Sequence, residues 1–331
     1  MSSFAHSVFV TGNDVYVAGE IDLHPVLWKN SAPIILSTDD GEAYSVLVAG
    51  NDVYVTGYIY NYNGSSVECS AILWKNGVPD ILQTTFNNYF NEISVFLFEN
   101  DIYVVGYNGY VYDEVSKKSG KIVLWKNGVQ IMLTDGVASA VYVTENDVYV
   151  AGAKTKMFYG VNAWGATLWK NGIPTTLTTD EEHYSSASCV CATENDVYVA
   201  GTITDRNNKS NAVLWKNGVP TILSEIGSVS SIYVVENDVY LIGCPYTGSA
   251  VSVWKNGIQT LTYPNNINKS NGFQGVSHSV YLIGNDIYAA GAVHRVYSYN
   301  YGDGDNEGDA DIGKWQAALW KNGVMTFLPI E

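Results

Sequence analysis

The pattern of apolar and polar positions comes in short units. Runs such as Asp14-Val-Tyr-Val-Ala-Gly19 place Val15 and Val17 on one face of a strand and Tyr16 and Ala18 on the other. A half-exposed sheet alternates apolar with polar residues, so apolar character on both faces predicts a strand sandwiched between two other sheets. Three further short runs accompany each of these. One is of the Ser-Val-Phe-Val type (Ser7–Val10, Ser45–Val48, Ser279–Leu282), one of the Ala-Thr-Leu-Trp-Lys type (Ala166–Lys170), and one of the Pro-Thr-Thr-Leu type (Pro174–Leu177). β-Branched and aromatic residues dominate all four, and no stretch keeps a helical period.

Two motifs fix the number of units. Asn-Asp-(Val/Ile)-Tyr begins at Asn13, Asn51, Asn100, Asn146, Asn195, Asn237 and Asn285. Trp-Lys-Asn begins at Trp28, Trp74, Trp125, Trp169, Trp215, Trp254 and Trp320. They alternate strictly, and the Asn-Asp pairs lie 38 to 49 residues apart, the span of one propeller blade. The predicted fold is all-β: a single seven-bladed β-propeller over residues 1–331, with four antiparallel strands, A to D, per blade. The blades are expected at 6–37, 44–84, 93–134, 138–178, 187–224, 229–262 and 276–328. The chain opens on a strand A and ends on a strand D, so no strand exchange between the termini is expected. The seven tryptophans read as packing between blades.

Turn chemistry agrees. Gly-Asn or Glu-Asn joins A to B, and Asn-Gly joins C to D in six units, as at Asn76-Gly77, where a type I′ turn demands positive φ. Unit one has Asn30-Ser31, a weaker turn. The A–B pattern, as in Ser45-Val-Leu-Val-Ala-Gly-Asn-Asp-Val-Tyr-Val-Thr-Gly57, resembles the strands of NHL-type and related bacterial β-propeller repeats. The Leu-Trp-Lys-Asn-Gly segment departs from that pattern. The resemblance covers the whole chain and implies a radial order with strand A innermost; it brings no catalytic residues.

This topology puts the A–B and C–D turns on one rim, the bottom, and the longer, variable B–C and D–A loops on the other, the top. Variable loops on a constant scaffold are where recognition usually sits. The net charge is −16. The motif aspartates and lysines are expected to pair across strands B and C at the bottom, which leaves the top acidic. So acidic a chain excludes nucleic acid as a partner, since phosphate binding needs a basic face. No apolar stretch of membrane-spanning length is present, so no membrane insertion is expected. Met1 to Val10 has neither a basic n-region nor an apolar h-region. The expected location is nonetheless secreted or cell-surface, with the signal peptide absent from this sequence and the cytosol as the alternative. Cys69, Cys189, Cys191 and Cys244 form no metal-binding spacing and read as buried apolar side chains.

Aromatic residues gather in the top loops. Tyr58, Tyr60 and Tyr62 fall in the B–C loop of blade 2, and Tyr89 in the D–A loop that follows. The candidate ligand-binding set is Tyr60, Tyr62, Tyr89, Tyr110, Tyr159, Trp164, Tyr184 and Tyr299. Exposed rings beside amides suit stacking on sugars or gripping a peptide. Asp303, Asp305, Glu307, Asp309 and Asp311 resemble the front of an EF-hand calcium loop, but Lys314 stands where the bidentate Glu belongs. Ca²⁺ is therefore a possible ligand there, and the propeller itself requires no cofactor.

His6, His24, His183, His278 and His294 all map to the top half, four of them in blades 1 and 7. Candidate carboxylates for glycoside hydrolysis are Asp39, Asp40, Glu42, Asp113, Glu114 and Glu181. No nucleophile elbow, P-loop or dinucleotide fingerprint appears. The expected function is a non-enzymatic recognition module for a glycan or a peptide or protein ligand on the top face. A polysaccharide lyase or hydrolase and an assembly scaffold are the alternatives, and no catalytic residue is assigned.

Overall fold

The computed structural model of the chain describes residues 1–331 except 65, 87–89, 109–119, 159–160, 179–183, 206–208, 225–226, 236–237, 245–249, 265–272, 285 and 296–313. The described residues form seven antiparallel sheets, each built from four consecutive strands. The innermost strands are β1 (Ser3–Thr11), β5 (Gly41–Ala49), β9 (Phe90–Phe98), β13 (Val137–Val143), β17 (Tyr184–Ala192), β21 (Ser228–Val235) and β25 (Phe273–Ile283). Next come β2 (Asp14–Ile21), β6 (Asp52–Asn63), β10 (Asp101–Asn108), β14 (Val148–Phe158), β18 (Val197–Thr204), β22 (Asp238–Cys244) and β26 (Asp286–Arg295). The third ring is β3 (His24–Lys29), β7 (Ser66–Lys75), β11 (Lys121–Lys126), β15 (Val161–Lys170), β19 (Ser210–Lys216), β23 (Ala250–Lys255) and β27 (Trp315–Lys321). On the outside lie β4 (Ala32–Ile35), β8 (Val78–Phe86), β12 (Val129–Asp135), β16 (Ile173–Thr176), β20 (Val219–Ser224), β24 (Ile258–Pro264) and β28 (Val324–Phe327). No helix among the described residues is long and apolar enough to cross a membrane.

The core is divided into seven apolar seams, one between each pair of adjacent blades. The two motifs meet in these seams. Trp74 of blade 2 packs with Tyr16 of blade 1, Trp125 with Tyr54, Trp169 with Tyr103, Trp215 with Tyr149 and Trp254 with Tyr198. The motif tyrosine of one blade thus covers the motif tryptophan of the next, and the six tryptophans from Trp28 to Trp254 are almost fully buried. Cys69, Cys189 and Cys191 are free thiols buried in the same seams.

At the bottom rim, the rest of each motif builds one clamp. In blade 2, Asn76 Nδ2 donates to Asp52 Oδ1 (2.8 Å), Val53 N donates to Asn76 Oδ1 (2.8 Å), and Lys75 Nζ lies 2.7 Å from Asp52 Oδ2. The same ammonium sits over the Tyr54 ring, 5.3 Å from its centroid. Hydrogen bonds from Lys75 and Asn76 hold the Asp52 carboxyl below its usual range. The Asp–Lys pair recurs in all seven blades. Asn76 and Gly77 both have positive φ (52° and 79°), as a type I′ turn requires. In blade 1, Asn30 and Ser31 take the same conformation (50° and 68°), so a side chain is forced into a region that glycine occupies elsewhere.

The first and last sheets share no strand, so the ring closes by side chains alone. Ala317 N donates to Ser3 Oγ (2.9 Å), Trp28 Nε1 donates to the Pro329 carbonyl (2.7 Å), and Leu328 is fully buried against Val17 and Trp28. Around the inner ring, a backbone N–H of one innermost strand donates to a serine hydroxyl of the preceding blade. The pairs are Val8 to Ser279, Val46 to Ser7, Val95 to Ser45 and Val280 to Ser231, at 3.2–3.5 Å. The 7–1 junction therefore repeats a bond used at the 1–2, 2–3 and 6–7 junctions.

Candidate binding site at the channel mouth

The glycine that ends the Val-Ala-Gly run shapes the channel. A Cβ at Gly19 would overlap the carbonyl of Phe4, and the same holds for Gly57 and Glu42, Gly152 and Val137, Gly201 and Ser186, and Gly243 and Ser228. Where glycine lets the two strands close up, the inner strand slips by one residue. The pairing skips His6, Tyr44, Ser139, Ser188, Ser230 and His278 in blades 1, 2, 4, 5, 6 and 7. Glycine inside a strand often marks such a bulge, and a bulge re-aims the side chain it carries. All six skipped residues line the central channel, which has a volume of about 840 Å³.

These six residues divide the ring. Blades 7, 1 and 2 present His278, His6 and Tyr44, whereas blades 4, 5 and 6 present Ser139, Ser188 and Ser230. The His6 ring stacks on Tyr44 (centroids 4.8 Å apart, planes 21° apart) and lies 5.4 Å from His278. From Tyr44 a line of rings runs outward through Tyr58 (5.6 Å), Tyr60 (4.9 Å) and Tyr62 (6.4 Å). Tyr58 is buried and Tyr62 is 62% exposed, so the line leads from the channel wall to the open tip of the β6–β7 hairpin.

Glu42 stands where the ring line meets the histidines. Its Oε1 accepts a hydrogen bond from the Tyr58 hydroxyl (2.7 Å), and its Oε2 lies 3.4 Å from His6 Nε2, an ion-pair distance without hydrogen-bond alignment. Burial pushes this carboxyl up, but the His6 imidazole and the Tyr58 hydroxyl outweigh burial and hold it below its usual range. Glu20 behaves oppositely. It is 7% exposed, its Oε2 has no hydrogen-bond partner, and burial together with the Glu42 and Asp22 charges raises its pKa to about 8. His278 is open to channel water, yet the crowding of the surrounding blades and the nearby His6 push its imidazole toward the neutral form, against the pull of Glu42.

The predicted site residues are dispersed. Tyr60 and Tyr62 come together with Tyr58, but on strand β6, which continues to Asn63; the loop expected after Gly57 is strand. Trp164 lies on β15 in blade 4, likewise in a strand, and Tyr184 is the exposed first residue of β17 in blade 5. Tyr89, Tyr110, Tyr159, Tyr299 and the Asp303, Asp305, Glu307, Asp309 and Asp311 set lie outside the described residues, as do His183, Asp113, Glu114 and Glu181. Among the described residues, no group of three or more His, Cys, Asp or Glu is placed to hold a metal ion. Sequence reading missed Tyr44, Ser139, Ser188 and Ser230, and it did not bring His6 onto His278. The available signal was the glycine closing each strand B, which marks the bulge.

No protein-family model matches the chain, and no curated protein matches its sequence. Solved structures do match. The β-propeller domain of the Trilobed protease from Pyrococcus furiosus, described as having an open velcro topology, is 10% identical with a TM-score of 0.52, covering 99% of this chain and 97% of that one. Pyrococcus horikoshii acylaminoacyl peptidase is 13% identical (TM-score 0.48), covering 87% of this chain and 50% of that one. Phage phi92 endosialidase is 11% identical (TM-score 0.42), covering 99% and 67%. The chain thus spans about half the length of the acylaminoacyl peptidase it matches. At such identities the similarity shows the fold alone, a seven-bladed propeller.

Proposed function

We propose that the protein is a non-enzymatic recognition module that binds a glycan on its top face, along the tyrosine line of blade 2 and toward the channel mouth. The observation that carries this reading is the run of four rings from Tyr44 to Tyr62, which grades from the channel wall to an exposed hairpin tip. Tyrosine rings offer flat apolar faces to sugar rings while their hydroxyls stay hydrated. An extended polymer fits such a graded track better than a globular partner does.

Affinity electrophoresis against a panel of polysaccharides, with each lane assayed for released sugar, tests the proposal. Retardation without release is expected, and Tyr60→Ala with Tyr62→Ala is expected to weaken it about tenfold, each aromatic contact contributing about 0.5–1.5 kcal/mol. Unchanged retardation in the double variant would remove the basis of the reading. An EDTA lane checks whether Ca²⁺ at the segment from Asp303 to Asp311 contributes. The enzymatic reading has one observation of its own: Glu20 is held protonated and Glu42 ionised, the division of labour that an acid and a base require. Glu20 does not line the channel, however, so binding is preferred. Release of oligosaccharide, abolished by Glu42→Gln, would reverse that preference.

A further inference from the structure

We infer that the channel mouth is the end site for this ligand and takes the terminal sugars of an uncharged glycan, with a ring face on the His6–Tyr44 wall and the hydroxyls toward Ser139, Ser188 and Ser230 opposite. The inference rests on the glycan reading above and deepens it. Its first support is charge. In a chain of net charge −16, the described residues that line the channel include no Lys, Arg, Asp or Glu. An ionised carboxylate entering such a site would lose hydration, meet no lysine or arginine on the described lining, and face the Glu42 carboxylate behind His6. Enclosure favours the neutral form of His278, which lines the mouth.

The second support is the kind of hydroxyl on the walls. Ser7, Ser45, Ser231 and Ser279 each accept a backbone N–H through Oγ, so each hydroxyl proton is directed elsewhere. Ser230 does the reverse: it donates to the Ile242 carbonyl (3.2 Å), which leaves its oxygen to accept. Sugar hydroxyls both donate and accept, and a wall with both polarities matches them. The third support is shape. Bulges set the six residues at one level of the ring, aromatic and imidazole groups on three consecutive blades and serines on three facing blades. A volume of about 840 Å³ falls in the range of pockets that enclose small ligands, room for a chain end rather than a folded partner.

Titration calorimetry with short oligosaccharides tests the site apart from the track. The probes are cellotriose, xylotriose, laminaritriose, maltotriose and tri-N-acetylglucosamine as neutral chains, with trigalacturonate and trimannuronate as acidic ones. A neutral trisaccharide is expected to bind. Ser188→Ala and Ser230→Ala together are expected to weaken it about tenfold, and Ser188→Trp, which sets an indole across the serine wall of the mouth, to abolish it with the thermal melt unchanged. Tyr62→Ala is expected to spare the trisaccharide and weaken only the polymer. Acidic trisaccharides binding as well as neutral ones would overturn the inference. So would polymer binding that survives Ser188→Trp, although the track reading would then stand. Absence of binding to every polymer and trisaccharide would overturn both.

Discussion

The two rims of this ring are made by opposite uses of repetition. At the bottom, an Asp–Lys pair recurs seven times, each ammonium set over a motif tyrosine, as in Asp147, Lys170 and Tyr149. At the top, one backbone device, the bulge opposite glycine, recurs while its side chain changes from imidazole to phenol to hydroxyl. The bottom repeats both backbone and side chain, so it closes hairpins and pairs its motif charges. Repetition at the top is confined to the backbone, so the ring has a direction, His278, His6 and Tyr44 facing three serines. The uniform side chains hold the hairpins closed, and the varied ones on a uniform backbone are where the proposed recognition would sit.

The comparison breaks most readily at the bulge glycines. Gly201→Ala forces a Cβ onto the Ser186 carbonyl and is expected to cost about 3 kcal/mol in urea unfolding. Gly12→Ala, in open space with φ +56°, should lose only about 1 kcal/mol. Equal losses would mean that the glycine is a turn device and has no part in the bulge. Glu20 comes next. Folding raises its pKa to about 8 from an ordinary value of 4.5, so between those pH values the folded chain keeps a proton that the unfolded chain has released. The contribution of this group therefore falls as pH rises from about 4.5 to 8 and stays low above that. Glu20→Gln should remove the decline and be the more stable form at pH 8, on the order of a few kcal/mol at about 1.4 kcal/mol per tenfold change in proton affinity. Parallel urea curves for both proteins at pH 5 and pH 8 would show Glu20 to be without that role.

Smaller effects probe the bottom rim. Ser31→Gly relieves the one C–D turn among the described residues with a side chain at its second positive-φ position, and should stabilise by about 1 kcal/mol at any pH. A melting temperature that does not rise would contradict the strain. Asp147→Asn should have the smallest effect, a slight loss at low salt that vanishes in 0.5 M NaCl, because the pair it breaks is open to solvent. A loss that persists in high salt would give the clamps more weight than their exposure allows.

Much of the ring was legible in the residues. Asn-Asp-Val-Tyr and Trp-Lys-Asn marked strands B and C, Asn-Gly marked the C–D turn, and the apolar character of both faces of strand B required sheets on either side. These signals are local or strictly periodic. The channel mouth was less legible because a bulge moves the strand register by one residue, and period-two reasoning then assigns every side chain beyond it to the wrong face. His6 and His278 lie 272 residues apart in sequence and meet only because the ring closes and both inner strands slip. Tyr60 and Tyr62 were misplaced for another reason. Gly57 looked like the end of a strand, yet the alternation Tyr58, Tyr60, Tyr62 continued through it, as it does in a long hairpin.

The bulged residue also carries a freedom that its neighbours lack. Because the ladder skips it, exchanging its side chain changes no cross-strand pair and shifts no register. What the mouth presents is thus set by side chains that the strand pairing does not use. The ring is in effect a short alphabet written around a pore. A library randomised at His6, Tyr44, Ser139, Ser188, Ser230 and His278 would rewrite those letters and leave the scaffold that spells them untouched.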